Sequence, residues 1–326
     1  MLKRIKLLKL FNLYNYDIDL TNSDSSMVKF ITAPNGYGKT TILDIINAVM
    51  HGSYGKVVDI PFRQVDLYFD EDNSDVEYRY SIARNEEKVN AIDTDLVQSI
   101  GKNLKIQLFR IKEIENHLVE QFTVTQTPDG ILNTKGFTFN IEMFFASRTS
   151  FYLTDNRMLN WKMDYENEKL SLIDRPLSKY PSEMKEILSS ESQTKEFDDR
   201  INAFREIINR CEFAGKYLEI DKRFGFRFVA DDELNTILTL DQLSSGEKQM
   251  IIQVYELLFH AQTGTLVMID EPELSLHMMW QMNYLKNLSQ IAKLRGFQCI
   301  VATHSPQIFN SLWSKSVDLF TLSSQE

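Results

Sequence analysis

The first half of the chain alternates apolar and polar residues in short runs, which is the pattern of β-strands. Residues 5–20 predict a hairpin, and residues 64–69 and 76–83 predict two further strands. Residues 28–32 are mostly apolar and predict a short buried strand. The first half therefore favours a β-rich architecture.

Three other stretches of the first half are harder to assign. Residues 104–124 show a mixed pattern of apolar and polar residues, which predicts neither a helix nor a strand clearly. Residues 137–152 are apolar and are predicted to contain a strand that enters from the sheet. The acidic cluster at 70–75 lacks the glycine and the distal glutamate of a calcium-binding loop, and its turn-forming residues predict an exposed hairpin tip instead.

Helical spacing becomes frequent in the second half. It marks 184–188 and 197–208, within a stretch dominated by charged and polar residues. The next segments predict a hairpin and a further strand, at 216–220, 224–229 and 236–240. The remaining chain alternates helices with buried strands, in the order 248–260, 265–269, 278–293 and 298–302. This strand–helix–strand order predicts parallel pairing.

The composition is typical of a globular chain, with 43% hydrophobic and 25% charged residues among 326. The formal net charge of −10 disfavours attraction of the whole surface to nucleic acid, although a local basic groove stays compatible with it. The two cysteines form no CxxC pair and predict reduced thiols. No apolar run spans a membrane and no signal peptide is evident, so we expect a cytoplasmic protein without membrane contact.

Residues 33–40 read Ala-Pro-Asn-Gly-Tyr-Gly-Lys-Thr, between the predicted strand 28–32 and a segment, 41–50, whose spacing predicts a helix. This is the context of a P-loop, whose glycines let backbone N–H groups turn towards phosphates. A lysine that reaches the β- and γ-phosphates and a hydroxyl that ligates Mg²⁺ follow. The small residue at the motif's first glycine position, Ala33, should preserve the turn. The expected ATP-binding residues are Asn35, Gly36, Gly38, Lys39, Thr40 and Thr41, with Thr40 also a Mg²⁺ ligand.

Polar residues follow two of the predicted buried strands. Asp270 is placed to hold Mg²⁺ through its hydration shell, and Glu271 is placed to orient and polarise the attacking water. The alternative is an acidic turn that only caps the next helix, and the P-loop favours the catalytic interpretation. His304 follows strand 298–302 and is expected to hydrogen-bond the γ-phosphate, unless it is simply satisfied within its loop.

Residues 243–248 read Leu-Ser-Ser-Gly-Glu-Lys at the start of a predicted helix. One explanation is helix capping by a serine. The other is that the Ser244 hydroxyl and the Gly246 N–H bind a γ-phosphate carried by another subunit. The second explanation predicts a homodimer joined through ATP, with signature residues acting in trans: Ser244, Ser245, Gly246 and Glu247.

With these motifs the chain resembles the ABC-type ATPases of the RecF, SMC and OLD (overcoming-lysogenisation-defect) group, many of them described as AAA-type. Four stretches carry the resemblance: 33–41, 243–249, 266–277 and 303–306. The Pro-Glu-x-x-Leu-His run at 272–277 is particularly like the OLD branch and by analogy forms the D-loop at the dimer interface. The resemblance covers roughly the first 50 and the last 90 residues, and the middle is unassigned by it.

The resemblance implies an α/β fold, a P-loop NTPase head of the ABC type. Such a head has a mixed central sheet with an antiparallel β subdomain, plus an inserted helical lobe. The head is expected to comprise residues 1–155 and 216–326, and the lobe residues 156–215.

The chain also departs from that group. Its middle is too short for a long coiled coil, it has no CxxC zinc hook, and we expect no Toprim nuclease domain after the Thr-His pair. The glutamine that usually links the γ-phosphate to the helical lobe has three candidates, Gln64, Gln107 and Gln121. Arg148 and Arg157 are candidates for a phosphate or interface role, and a plain surface role is the favoured alternative.

The resemblance implies an ATP-driven dimerisation switch with slow or partner-stimulated hydrolysis, in a multi-protein system of the anti-phage kind. Its effector is expected to be a separate nuclease or toxin chain, and oligomers beyond the dimer stay open. The alternative is a RecF- or SMC-like DNA-repair ATPase that clamps DNA directly, which the acidic balance disfavours because phosphate contacts need clustered Lys and Arg. A transporter subunit is a third candidate, disfavoured by the OLD-like run.

Overall fold

The chain divides into two compact units. The computed structural model describes residues 1–21, 27–71, 76–84, 103–112, 115–127, 129–136, 138–154, 177, 179–190, 194–274, 276–309 and 312–323. The first unit comprises Met1–Ser25, Ile31–Ser150 and Val317–Glu326, and the second comprises Ser26–Phe30 and Phe151–Ser316. Among the described residues, no helix combines the length and the apolar character needed to cross a bilayer.

Strands dominate the first unit, and helices surround the strands of the second. In chain order the strands are β1 (Leu2–Leu10), β2 (Tyr14–Asp19), β3 (Val28–Thr32), β4 (Gln64–Asp70), β5 (Val76–Arg84), β6 (Asn103–Lys112), β7 (Glu115–Gln126), β8 (Leu132–Gly136), β9 (Ser150–Leu153), β10 (Lys216–Asp221), β11 (Gly225–Ala230), β12 (Ile237–Leu238), β13 (Leu266–Asp270), β14 (Gln298–Thr303) and β15 (Ser316–Asp318). The α-helices are α1 (Lys39–Met50), α2 (Gly55–Asp59), α3 (Phe139–Ala146), α4 (Lys179–Ser189), α5 (Lys195–Arg210), α6 (Ser245–Tyr255), α7 (Met278–Arg295) and α8 (Leu319–Ser323).

The first unit is built on a seven-stranded antiparallel sheet in the order β2-β1-β4-β5-β6-β7-β8. Five buried side chains lie opposite one another on consecutive strands, namely Ile18, Ile5, Leu67, Tyr80 and Leu108. Because successive side chains of a strand point to opposite faces, a slip of one residue would turn this row towards water, so the row fixes the register. The predicted strands at 5–20, 64–69 and 76–83 are confirmed, and the unassigned stretch 104–124 is the β6–β7 hairpin.

Residues 137–152 contain the predicted strand, which is β9 at the end of the stretch, but most of their described part is helix α3, which was not predicted. Phe144 and Phe145 of this helix meet Phe69 edge-on, with ring centroids 5.5 and 5.8 Å apart, and Phe145 also meets Tyr80 at 5.2 Å. The apolar residues of this helix therefore cover one face of the sheet. Over so short a stretch, the spacing of apolar residues does not distinguish such a helix from a buried strand.

Strands β13 and β14 of the second unit belong to a five-stranded sheet in the order β15-β3-β14-β13-β9, and β10, β11 and β12 form a three-stranded sheet in that order. β13 and β14 pair in parallel, with Asp270 opposite Ala302, which confirms the predicted parallel pairing. β10 and β11 form the predicted hairpin, and β12 is shorter than predicted because a 3₁₀ helix follows at Leu240–Gln242. These sheets and the described sheet of the first unit agree with the predicted fold class.

Helices α4 and α5 belong to the hydrophobic core of the second unit. Phe204 on α5 is fully buried, and its ring meets Phe226, Tyr255 and Phe259 at centroid distances of 5.5, 5.7 and 6.0 Å. The two helices confirm the predicted helical spacing at 184–188 and 197–208. Residues 155–176, with which the proposed lobe begins, lie outside the described residues, so the lobe boundaries at 156 and 215 stay a prediction.

Helix α6 continues as a π-helix at Glu256–His260, and a histidine clamp ties its end to α4. The two ring nitrogens of His260 lie 2.8 Å from a Glu256 carboxylate oxygen and 2.5 Å from one of Glu183. Burial lowers the pKa of His260, but the hydrogen bonds to the two carboxylates outweigh it and the pKa is raised. The clamp therefore contributes stability below the ordinary pKa of histidine and loses it as the pH rises through the raised value.

We predict that Gly225→Ala destabilises the protein more than Gly264→Ala does. The two glycines have φ of 78° and 79°, so each variant incurs about 1–2 kcal/mol for a left-handed Cβ. An added Cβ at Gly225 would lie 1.8 Å from the Pro181 carbonyl oxygen, whereas nothing lies within 4 Å at Gly264. Overpacking should therefore add about 1–3 kcal/mol at Gly225 alone. Urea unfolding followed by circular dichroism measures both, and equal free energies of unfolding would contradict the close approach.

Candidate functional site

The P-loop of the first unit joins β3 to helix α1 through two glycines in left-handed conformations. Gly36 has φ of 90° and Gly38, the N-cap of α1, has φ of 87°. A Cβ at Gly38 would lie 2.8 Å from Leu10 Cδ2, whereas a Cβ at Gly36 would meet nothing within 4 Å. Gly38 is thus required by both conformation and space, and Gly36 by conformation alone.

The start of α1 has the properties of an anion site. No side chain caps the helix and its first turn holds no acidic residue, so its N-terminal N–H groups face the P-loop without a carboxylate. Lys39 is buried, and its ammonium donates to the carbonyl oxygens of Ala33 at 2.9 Å and Pro34 at 3.4 Å. Thr40 is exposed, and its hydroxyl is the type of hard oxygen donor that Mg²⁺ prefers.

Aromatic residues that the sequence analysis passed over brace the P-loop. The ring of Tyr37, between the two glycines, stacks on Tyr14 with centroids 5.2 Å apart, and Phe320 of α8 meets it edge-on at 5.7 Å. The Tyr16 hydroxyl donates to the Tyr37 carbonyl oxygen at 3.0 Å, and burial raises the pKa of Tyr16. The sequence shows a tyrosine within the motif, but it does not reveal the contacts of that tyrosine, because its partners lie in distant parts of the chain.

The catalytic candidates of the second unit lie where β13 ends. Asp270, the last residue of β13, is buried, and its carboxylate suits Mg²⁺ as a hard oxygen ligand. Glu271 has φ of 48°, a left-handed conformation for a non-glycine residue, and its N–H donates to the Ala302 carbonyl oxygen at 2.8 Å. Such a conformation persists only where the surroundings impose it, and it is common at functional sites.

Glu271 and His304, predicted from separate motifs, lie side by side in the second unit. The Nδ1–H of His304 donates to the Glu271 carboxylate, and the same nitrogen lies 3.2 Å from an oxygen of Glu273. The His304 side chain is 44% exposed, although its Nδ1 is engaged by Glu271. One oxygen or nitrogen atom from each of these three residues lies within 4.8 Å of the others. The structure therefore supplies a carboxylate–imidazole pair at the end of the parallel strands.

Glu273 is a member of this cluster that received no role in the sequence analysis. Its side chain is 5% exposed, and its Oε1 accepts from the Thr303 hydroxyl and from the N–H groups of His304 and Ser305. Burial raises its pKa against the effect of those hydrogen bonds. The Pro-Glu-x-x-Leu-His run draws attention to Glu273 in the sequence. Its hydrogen-bond partners, however, come from the end of another strand, so the run alone does not show what Glu273 does.

The signature segment forms the first turn of α6 and its cap. The hydroxyl of Ser244 accepts from the N–H of Glu247 at 3.2 Å, and the Glu247 carboxylate accepts from the N–H of Ser244 at 2.7 Å, which completes a capping box. Glu247 is buried and also accepts from the ammonium of Lys216 at 2.8 Å. Burial acts to raise its pKa, but the bonds from Lys216 and Ser244 outweigh it and lower the pKa. Ser244 and Ser245 are exposed, and Gly246, which follows them, is buried.

The secondary candidates have local partners. Gln64 donates to the Asp66 carboxylate at 2.9 Å, and Gln107 donates to Gln121 at 2.8 Å across β6 and β7. The Arg148 guanidinium lies 3.9 Å from the centroid of the Phe144 ring. Arg157 lies outside the described residues.

A family profile described as "AAA domain, putative AbiEii toxin, Type IV TA system" matches residues 34–310. The chain is also 33% identical over 97 residues to the Escherichia coli protein "Retron Ec83 probable ATPase". That alignment spans 26% of this chain and 18% of the relative, so it covers less than a fifth of the relative's length.

Several solved structures resemble the chain as a whole. An SMC head bound to the C-terminal winged-helix domain of ScpA is 15% identical, with a TM-score of 0.44 and coverage of 94% of this chain and 90% of that one. The SMC head of Thermotoga maritima is 14% identical (TM-score 0.40, coverage 95% and 91%), and the dimeric bacterial ABC transporter cassette MJ0796 is 15% identical (TM-score 0.35, coverage 94% and 88%). These scores are low, and the fold class rests on the strand orders and the P-loop.

We predict that Ser244→Ala lowers the free energy of unfolding without nucleotide by about 1 kcal/mol, the usual cost of losing an N-cap. The control, Ser245→Ala, changes the first helical residue to a good helix former and should be neutral. Thermal and urea unfolding of both variants and of the wild type measure these free energies. Equal stability of Ser244→Ala and the wild type would show that the capping box is not formed in solution.

Proposed function

This chain belongs to the AAA-domain family described as "putative AbiEii toxin, Type IV TA system", and we propose that it is an ATP-hydrolysing dimerisation switch of a multi-protein system. The observation that carries the proposal is the pairing of Glu271 with His304 at the ends of two parallel strands. A carboxylate held by an imidazole at that place, in a chain whose P-loop departs from the motif only at Ala33, suits hydrolysis rather than binding alone.

The P-loop holds the triphosphate. Gly36 and Gly38 let the backbone N–H groups face the phosphates, and the start of α1 adds its positive dipole end. Asn35, Lys39 and Thr41 complete the ATP-binding residues, and Lys39 exchanges its carbonyl partners for phosphate oxygens. Thr40 and Asp270 would hold Mg²⁺, which supplies positive charge to offset the charge developing on the phosphates.

Glu271 acts on the attacking water. Its carboxylate accepts a hydrogen bond from the water, and it receives the proton as the water oxygen attacks the γ-phosphorus. The bond from the γ-phosphorus to the β–γ bridging oxygen breaks in the same step, and ADP leaves with that oxygen. The hydrogen bond from His304 Nδ1 fixes the direction of that carboxylate. With both ring nitrogens protonated, His304 also donates from Nε2–H to a γ-phosphate oxygen and so reports whether that group is present.

A second copy of the chain completes the site. The exposed hydroxyls of Ser244 and Ser245 and the N–H of Gly246 lie at the start of α6, where a helix favours an anion. Glu247 serves them indirectly, because its capping box and its bond to Lys216 hold that start in place. Two copies would each offer this turn to the γ-phosphate of the other, so that hydrolysis releases the dimer, and larger assemblies can build on that dimer.

The effector is a separate chain, a nuclease or a toxin, in a cytoplasmic anti-phage system of the OLD-like type. The toxin–antitoxin description of the family and the similarity to a protein named as a retron ATPase support that arrangement. Slow hydrolysis, or hydrolysis stimulated by the partner, suits a switch that must stay closed until it is triggered.

We predict that Glu271→Gln leaves ATP affinity unchanged and slows hydrolysis by about 100-fold or more, the usual effect of losing a general base. The variant keeps its nucleotide unhydrolysed, so it should accumulate as a dimer in ATP. Light scattering after size-exclusion chromatography measures the dimer, and phosphate release measures the rate. A monomeric variant in saturating ATP would contradict the switch.

Two matched lysine variants control this experiment. Lys39→Ala in the Glu271→Gln background removes the phosphate contact and should abolish both ATP binding and the dimer. Lys56→Ala, an exposed lysine on α2 of the same unit, should leave both intact. A dimer that survives Lys39→Ala would be independent of nucleotide.

A measurement of DNA binding distinguishes the proposed switch from the alternative, a RecF- or SMC-like ATPase that clamps DNA directly. With a formal charge of −10, we predict only non-specific affinity, with a Kd of about 1 µM or weaker for duplex DNA at 0.15 M salt in ATP. Fluorescence anisotropy at several salt concentrations makes the measurement. Binding that is much tighter and falls steeply with salt would favour the DNA-clamping function.

A further inference from the structure

Glu273 lies between β13 and α7, two residues after the catalytic candidate Glu271. Its side chain is 5% exposed, although it belongs to a turn of residues 272–274. A carboxylate is costly to bury unless hydrogen bonds compensate for the lost water. The residues that supply those bonds indicate what the carboxylate holds in place.

All three donors to Glu273 come from the segment where β14 ends. Oε1 accepts from the Thr303 hydroxyl at 2.5 Å, from the His304 N–H at 2.9 Å and from the Ser305 N–H at 3.2 Å. Two successive backbone N–H groups that no longer belong to the sheet are thus directed at one oxygen. This arrangement fixes the backbone on both sides of the His304 side chain.

The same oxygen also faces the imidazole. Oε1 of Glu273 lies 3.2 Å from His304 Nδ1, which in turn donates to Glu271. The Glu271 carboxylate accepts from Nδ1 and Oε1 of Glu273 lies beside the same nitrogen, so both carboxylates are on the Nδ1 side of the ring. An apolar residue that only filled the space would offer no acceptor to the N–H groups on either side of the ring.

Helix α7 reinforces the loop from a second direction. The amide of Gln281 donates to the Leu276 carbonyl oxygen at 3.0 Å and accepts from the Ser305 hydroxyl at 3.0 Å. The segment after β13 and the segment after β14 are therefore connected by two side chains, Glu273 and Gln281. Support by several hydrogen bonds is what a side chain that must keep one orientation requires.

We infer that Glu273 is a positioning residue for ATP hydrolysis, which holds His304 so that its Nδ1 directs the Glu271 carboxylate and its Nε2 faces the γ-phosphate. This inference rests on the proposed function. In this role Glu273 acts through His304 and not directly on the water or the phosphate. Its removal should lower the rate of hydrolysis and spare nucleotide affinity.

The test compares Glu273→Ala, Glu273→Asp and Glu273→Gln in the full chain, with kcat, KM for ATP and thermal unfolding measured for each. We expect Ala and Asp, whose carboxylate falls one methylene short, to lower kcat by roughly 30-fold or more with KM changed less than about threefold. Gln keeps an acceptor at Oε1, so it should restore kcat to within about tenfold of the wild type. A role limited to folding would not separate kcat from KM in this way.

Epistasis with His304→Ala gives the second measurement. If Glu273 acts through His304, the double variant His304→Ala/Glu273→Ala should be no slower than His304→Ala alone. Glu256→Gln, another buried carboxylate of the same unit, is the control and should lower stability without changing kcat. If Glu273→Ala fails to fold, Gln and Asp carry the comparison.

The outcomes separate the inference from the function on which it rests. A wild-type chain without ATPase activity would contradict the proposed function and this inference with it. A wild type that hydrolyses ATP, together with a Glu273→Asp or Glu273→Ala variant of full activity, would overturn the inference alone. So would losses of rate that multiply in the double variant, because they would show that Glu273 acts independently of His304.

Discussion

The parallel pairing of β13 with β14 is the interaction on which the acidic site depends. The ladder that places Asp270 opposite Ala302 extends by one more bond, from the Glu271 N–H to the Ala302 carbonyl oxygen. That bond ties Glu271 to the neighbouring strand while its own backbone turns into a left-handed conformation. Parallel strands end at the same edge of a sheet. His304 is the residue that follows β14, so its side chain meets the side chain of Glu271 at this edge.

Two buried carboxylates of the second unit solve the same physical problem in different places. Glu247 accepts from a backbone N–H and from an ammonium at the start of a helix, and Glu273 accepts from a hydroxyl and two backbone N–H groups at the end of a strand. In each case the acid satisfies donors that regular structure leaves over. Neither carboxylate is exposed. Glu247 holds in place the turn that carries Ser244, and Glu273 holds in place the loop that carries His304.

The sequence predicted those features whose signal is local. The P-loop has a strand before it and a helix after it, and both follow from spacing within about twenty residues. The β3–α1 connection, the β10–β11 hairpin and the parallel strands are confirmed for this reason. Helix α3 was missed because its apolar residues suit either a helix face or a buried strand, and only the aromatic contact with Phe69 decides between them. The role of Glu273 and the stacking of Tyr37 depend on partners distant in sequence, which no periodicity reveals.

The clamp at His260 has a mechanical consequence. Helix α6 and its π-helical extension form one continuous element that starts at the Ser244 cap and ends at the bonds to Glu183 on α4. Its length is on the order of 20 Å. The Ser244 cap and helix α4 are therefore held at opposite ends of one helical element of the second unit.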